Sequence, residues 1–77
     1  MTHAFVNVTV QPGAVSAAAS EIASVEEVAS VHVVTGEHDI VAQLELESRE
    51  DIPAVVADGI HDATGVVDTI TNVAFEP

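Results

Sequence analysis

Apolar residues in this chain recur at two spacings, and the order in which those spacings alternate leaves few folds open. Between Ala4 and Val10 (AFVNVTV) they alternate, with Val6, Val8 and Val10 on one side, which is a strand pattern. Gln11-Pro12-Gly13 breaks the run, and Val15, Ala18, Ala19, Ile22 and Val25 then form one helical stripe. Ala17 and Ala18 add intrinsic helix propensity. Glu26 and Glu27 would oppose the helix dipole, so they belong to the exit turn. Val28 to Thr35 (VASVHVVT) is rich in β-branched residues and reads as a second strand. Gly36 to Asp39 is a turn, and Ile40 to Glu47 (IVAQLELE) returns as a third strand, completing a hairpin.

A second helical stripe follows at Ile52, Val55, Val56, Ile60 and Ala63. Ser48 and Asp51 compete to cap it. A start at Ser48 would put Pro53 at the fifth helical position and delete a backbone hydrogen bond, so the spacing favours Asp51. Thr64-Gly65 closes the helix, with Gly65 suited to a left-handed cap, and Val66 to Phe75 is the last strand. The order β-α-β-β-α-β predicts an α+β, ferredoxin-like fold: a four-stranded antiparallel sheet with both helices on one face.

The chain has 77 residues and no cysteine, so the expectation is one domain, 1–77, with a thin core and no disulfide. Oligomerisation is the remaining common way to bury more surface. If Val6, Val8, Val31, Val33, Ile40, Leu44 and Ile70 point at the helices, the other face carries Phe5, Asn7, Thr9, His32, Val34, Val41, Gln43, Thr69, Thr71, Val73 and Phe75. That set is apolar or uncharged in a chain with thirteen acidic residues. It reads as a self-complementary dimer surface that packs sheet to sheet; the alternative is a half-solvated sheet face.

Arg49 is the only Lys or Arg, and the net charge is -12. Such a field repels phosphate backbones, and two Phe with no Trp or Tyr supply no stacking platform, which argues against direct nucleic-acid binding. The 48% apolar content and its periodicity argue against disorder. No stretch has the length of a membrane span or the pattern of a signal peptide, so a cytoplasmic location is expected. The acid excess and missing lysine resemble proteins of salt-loving archaea, where molar salt shortens the Debye length to ~3 Å.

Candidate chemistry is sparse. His3, His32, His38 and His61 fall in different elements without metal-ligand spacing, so no metal or other cofactor is expected. A histidine enzyme, with His32 or His61 working beside a carboxylate, stays as an alternative, but nothing fixes such a pair in space. The hairpin turn offers more. Gly36 can adopt positive φ, which lets consecutive backbone N–H groups converge on an anion. Asp39 just beyond could pair with an ammonium, so the loop holds both halves of a site for an α-amino acid. The alternative is a plain turn whose Asp39 bonds to its own backbone.

The run Glu27-Val-Ala-Ser-Val-His-Val-Val-Thr-Gly-Glu-His-Asp-Ile-Val41 resembles the "V-x-x-V-x-x-V-T-G-x-(Y/H)-D" segment of the Lrp/AsnC effector domain, also called the RAM domain. The likeness extends through Pro12-Gly13, Gly65-Val66 and Thr69-x-Thr71, nearly the whole chain; His38 departs from a frequent Tyr or Phe. Regulators of that family carry an N-terminal helix-turn-helix, and this chain begins at the effector domain, so it looks like a stand-alone form. The resemblance implies homodimers built sheet to sheet that assemble into higher homo-oligomers. It also implies an amino acid effector near the loop, pointing to Thr35, Gly36, Glu37, His38 and Asp39, with Thr69 and Thr71 as hydroxyl partners. The function implied is indirect transcription regulation by co-assembly with DNA-binding relatives, without catalysis. A small dimeric α/β-barrel enzyme and an ACT-like regulatory module are the alternatives.

Overall fold

The computed structural model describes residues 1–75. Strand β1 (Thr2–Val10) is followed by helix α1 (Val15–Ala23), the hairpin β2 (Val28–Val33) and β3 (Ile40–Leu46), a second helix, and β4 (Val66–Ala74). The strands form one antiparallel sheet in the order β2-β3-β1-β4. The βαββαβ order and ferredoxin-like architecture expected from periodicity are therefore present.

The two central strands explain the core. Ala4, Val6, Val8 and Val10 of β1 and Ile40, Ala42, Leu44 and Leu46 of β3 alternate inward and are buried. Ala18 and Ile22 of α1, with Ile52, Ile60 and Ala63 of the second helix and its exit, close over them. No aromatic residue takes part, and among the described residues no polar or charged side chain is buried. Glu26 and Glu27 lie in the turn after α1, where the dipole argument puts them.

The second helix is less regular than its stripe suggests. Ser48, not Asp51, supplies the capping oxygen: its hydroxyl accepts from the Glu50 N–H at 3.2 Å and opens a 3-10 turn, Arg49–Asp51. The α-helical part, α2 (Ile52–Val55), holds Pro53 in its first turn, where the missing N–H costs nothing. The final segment, Val56–Ile60, is a π-helical turn closed by the His61 N–H on the Val56 carbonyl at 2.7 Å. The α-helix thus starts after Asp51, as the spacing favours, but the Asp51 side chain makes no capping hydrogen bond and the Ser48 hydroxyl caps the preceding 3-10 turn instead.

Strand β4 corrects the expected sheet faces. Its register pairs Val8 with Thr69, Val6 with Thr71 and Ala4 with Val73, so these three residues lie on the helix side. Ile70 pairs with Asn7 on the open side and is 46% exposed. The cause is a bulge. Val10 pairs with Val66 but Thr9 pairs with Asp68, so Val67 is an extra residue that reverses the phase of all that follows. Phe75 lies beyond the strand, exposed, with the Arg49 guanidinium 5.7 Å from its ring centroid. Val33 shares the inward parity of Val31 but is 63% exposed at the hairpin end. Among the described residues, the open face thus includes Phe5, Asn7, Thr9, His32, Val41, Gln43, Ile70 and Asn72, with Glu45 and Asp68 toward its ends.

Candidate functional site

The hairpin turn is anchored at one end and open at the other. The Asp39 carboxylate accepts the Val10 N–H at 2.9 Å, and the Asp39 N–H donates to the Val8 carbonyl at 3.0 Å. The Asp39 carbonyl accepts the Val34 N–H at 2.9 Å, closing the hairpin. His38 is half-buried beside β1, its Nδ1 3.3 Å from the Thr9 hydroxyl. By contrast Thr35, Gly36 and Glu37 are exposed. Gly36 has φ of 120°, a conformation that favours glycine, and open space surrounds the position of a Cβ there. The turn is therefore exposed at its tip while Asp39 holds its base to a central strand.

Thr69 and Thr71 lie elsewhere. They line a groove of about 370 Å³ with Ile52, Pro53, Val56, Ala57 and His61 of the second helix. Val8 pairs with Ile40 on one side and Thr69 on the other, so β1 separates the groove from the hairpin. Two strand spacings amount to about 10 Å. Within one copy, the loop residues and the two threonines thus lie in two separate places.

Sequence reasoning gave the second helix a core stripe and His61 as a possible acid/base, and did not place the helix beside Thr69 and Thr71. A signal was present in two rows of residues spaced four apart. Ile52, Val56 and Ile60 form one, and Pro53, Ala57 and His61 form the next, beside it on the same surface. The other histidines stand apart: His32 is exposed on the open face and His3 lies 3.8 Å from Glu45. Among the described residues, no three His, Asp or Glu side chains are grouped to hold a metal. At the far end of β3, five carboxylates (Glu26, Glu27, Glu45, Glu47 and Asp51) surround a cavity of about 410 Å³.

Comparison with known proteins follows this geometry. A family model described as the Lrp/AsnC ligand binding domain matches residues 3–77. No curated protein matches the chain by sequence. Among solved structures, the protein TTHA0845 from Thermus thermophilus is 38% identical, with a TM-score of 0.94, covering 100% of this chain and 96% of that one. A transcriptional regulator from Neisseria meningitidis, solved as an L-methionine complex, is 23% identical, with a TM-score of 0.86, over 97% of this chain and 50% of its own. A feast or famine regulatory protein from M. tuberculosis, also complexed with L-methionine, is 23% identical, with a TM-score of 0.81, over 100% of this chain and 52% of its own. At that identity the two regulators establish likeness of fold.

Proposed function

Because the chain belongs to the Lrp/AsnC ligand-binding domain family, we propose that it senses an α-amino acid and regulates transcription indirectly, by co-assembling with DNA-binding relatives. In this reading residues 1–77 act as one non-enzymatic effector-binding unit in the cytoplasm. The observation that carries it is the hairpin turn, exposed at Thr35, Gly36 and Glu37 yet fastened to β1 through Asp39. With one arginine in the chain, a ligand carboxylate is met by backbone N–H groups around Gly36 to His38. Asp39 keeps one carboxylate oxygen on Val10 and offers the other to the ammonium. The L-methionine complexes of the two regulators support an amino acid as the class of effector.

The open sheet face supports a homodimer. Its centre (Phe5, Asn7, Val41, Ile70, Asn72) carries no charge in a chain of thirteen acidic residues. Two copies stacked on it bring no carboxylates together at the middle. An effector held between dimers then stabilises the higher oligomer by linkage. Titration calorimetry against the twenty amino acids in molar salt, with light scattering for mass, tests both parts. Binding of at least one amino acid by a dimer or larger species is expected. A monomer that binds none of them refutes the reading.

A further inference from the structure

The helix layer carries a cleft that the effector reading does not use. It lies between the turn after α1 and the second helix, with a volume of about 330 Å³. Val25 and Glu27 line it on one side, and Ala54, Val55, Asp58 and Gly59 on the other. The walls meet at Gly59, where a Cβ would sit 3.1 Å from the Val25 Cγ1, while Ala54 adds only a methyl. Val25 and Val55 are half-buried and give the cleft apolar surface. Each wall adds one carboxylate, Glu27 or Asp58. Among the described residues, neither carboxylate has an ion pair or a side-chain hydrogen bond within the chain. The chain's one guanidinium is committed elsewhere, above the Phe75 ring.

We infer that this cleft docks a short segment of a partner protein, one that carries an apolar side chain flanked by Lys or Arg. The apolar side chain removes its own area and that of Val25 and Val55 from water. A neutral occupant would strip hydration from Glu27 and Asp58 without pairing them, and an anionic one would enter the field of a -12 chain. Lys or Arg supplies the missing charge, and its alkyl stem covers apolar surface while the charged end stays at the rim. A bare small cation gains nothing from the apolar walls. Glu27 also lines the cavity of about 410 Å³ shared with Glu26, Glu45, Glu47 and Asp51, so the cleft continues into a longer acidic surface suited to a peptide. A DNA-binding partner of the kind proposed above needs Lys and Arg to meet phosphates, and so has the cations this cleft lacks. Glu27 precedes β2, at the opposite end of that strand from the hairpin turn, and the helices lie on the far side of the sheet from the open face. Docking here leaves both the effector loop and the proposed dimer surface free. The inference goes beyond the amino-acid-sensing reading and depends on no effector.

The test titrates the full chain with three short helical peptides at about 0.15 M salt, where screening reaches ~8 Å. One alternates leucine and lysine, one has serine in place of each leucine, and one has glutamate in place of each lysine. The leucine–lysine peptide should bind at least tenfold more tightly than the serine–lysine peptide, and the glutamate peptide should not bind. Its addition should shift the methyl resonances of Val25 and Val55 and the amide of Gly59. Glu27→Gln with Asp58→Asn should lose at least tenfold in affinity. Glu50→Gln with Asp62→Asn removes the same charge outside the cleft, at exposed residues, and should stay within twofold. Equal binding of the serine–lysine peptide, or equal losses in the two double variants, reduces the cleft to part of a general acidic field and overturns the inference. So do unmoved Val25 and Val55 methyls in the native chain, which decide the matter even if a variant fails to fold. Each of these results leaves the amino-acid reading standing, since that reading is tested by amino acid titration alone.

Discussion

Asp39 makes three hydrogen bonds that hold the hairpin to β1 and close it on Val34. Replacing Asp39 with Ala leaves the Val10 N–H without its partner and should cost about 2 kcal/mol, read by chemical denaturation. Asp39→Asn keeps an acceptor and should cost under ~1 kcal/mol, yet it loses the charge that attracts an ammonium. A calorimetric loss in Asp39→Asn therefore reports ligand recognition rather than folding. Two glycines separate conformation from crowding in the same way. At Gly36 a Cβ meets nothing, so Gly36→Ala should cost only the strain of positive φ, about 1–2 kcal/mol. At Gly65, with φ of 80°, a Cβ would collide with the side chain of Ala14, and the Gly65 carbonyl holds the Gln11 N–H at 2.8 Å. Gly65→Ala should cost roughly 3 kcal/mol, since strain and overpacking add. Thermal melts of the two variants side by side check the ranking.

The strands show what periodicity carries and where it stops. Strands β1 and β3 alternate cleanly because one face is wholly buried, and every residue assigned inward from their sequence is inward. In β4 the apolar residues Val66, Val67, Ile70 and Val73 fit neither parity throughout. Taking the phase from Val66 makes Ile70 inward, but the bulge at Val67 inverts the phase after it. Only the pairing with β1 reveals this, and the periodicity of β4 by itself carries no register against that strand. The hairpin turn was legible because glycine and its polar neighbours interrupt two apolar runs. The groove was not, because its walls come from a helix and a strand whose relative placement depends on that bulge. A prediction follows for the exposed side of β4. Ile70→Lys should leave stability within ~0.5 kcal/mol, being a surface change, while converting the proposed dimer to monomer in light scattering.

At the scale of the whole molecule, thirteen carboxylates and a small aliphatic core oppose each other. A chain of 77 residues at ~0.05–0.15 kcal/mol per residue has roughly 4–12 kcal/mol of stability, and a net charge of -12 opposes the compact state through self-repulsion. Raising sodium chloride from ~0.1 M to molar concentration shortens the screening length from about 10 to 3 Å and should raise the melting temperature by several degrees. A melting temperature that falls with salt would contradict this. Salt is also expected to favour the proposed dimer, because among the described residues carboxylates beside the open face stand toward its two ends, at Glu45 and Asp68.

The Val10 amide, held by the Asp39 carboxylate, belongs to a central strand while its acceptor belongs to the hairpin turn. One proton therefore reports on two places. A ligand that draws the Asp39 carboxylate toward itself loosens that proton, and hydrogen exchange at Val10 should quicken. A ligand that settles the loop without competing should slow it. Exchange at Val10 is thus a clock inside the sheet for occupancy of the proposed site at the turn.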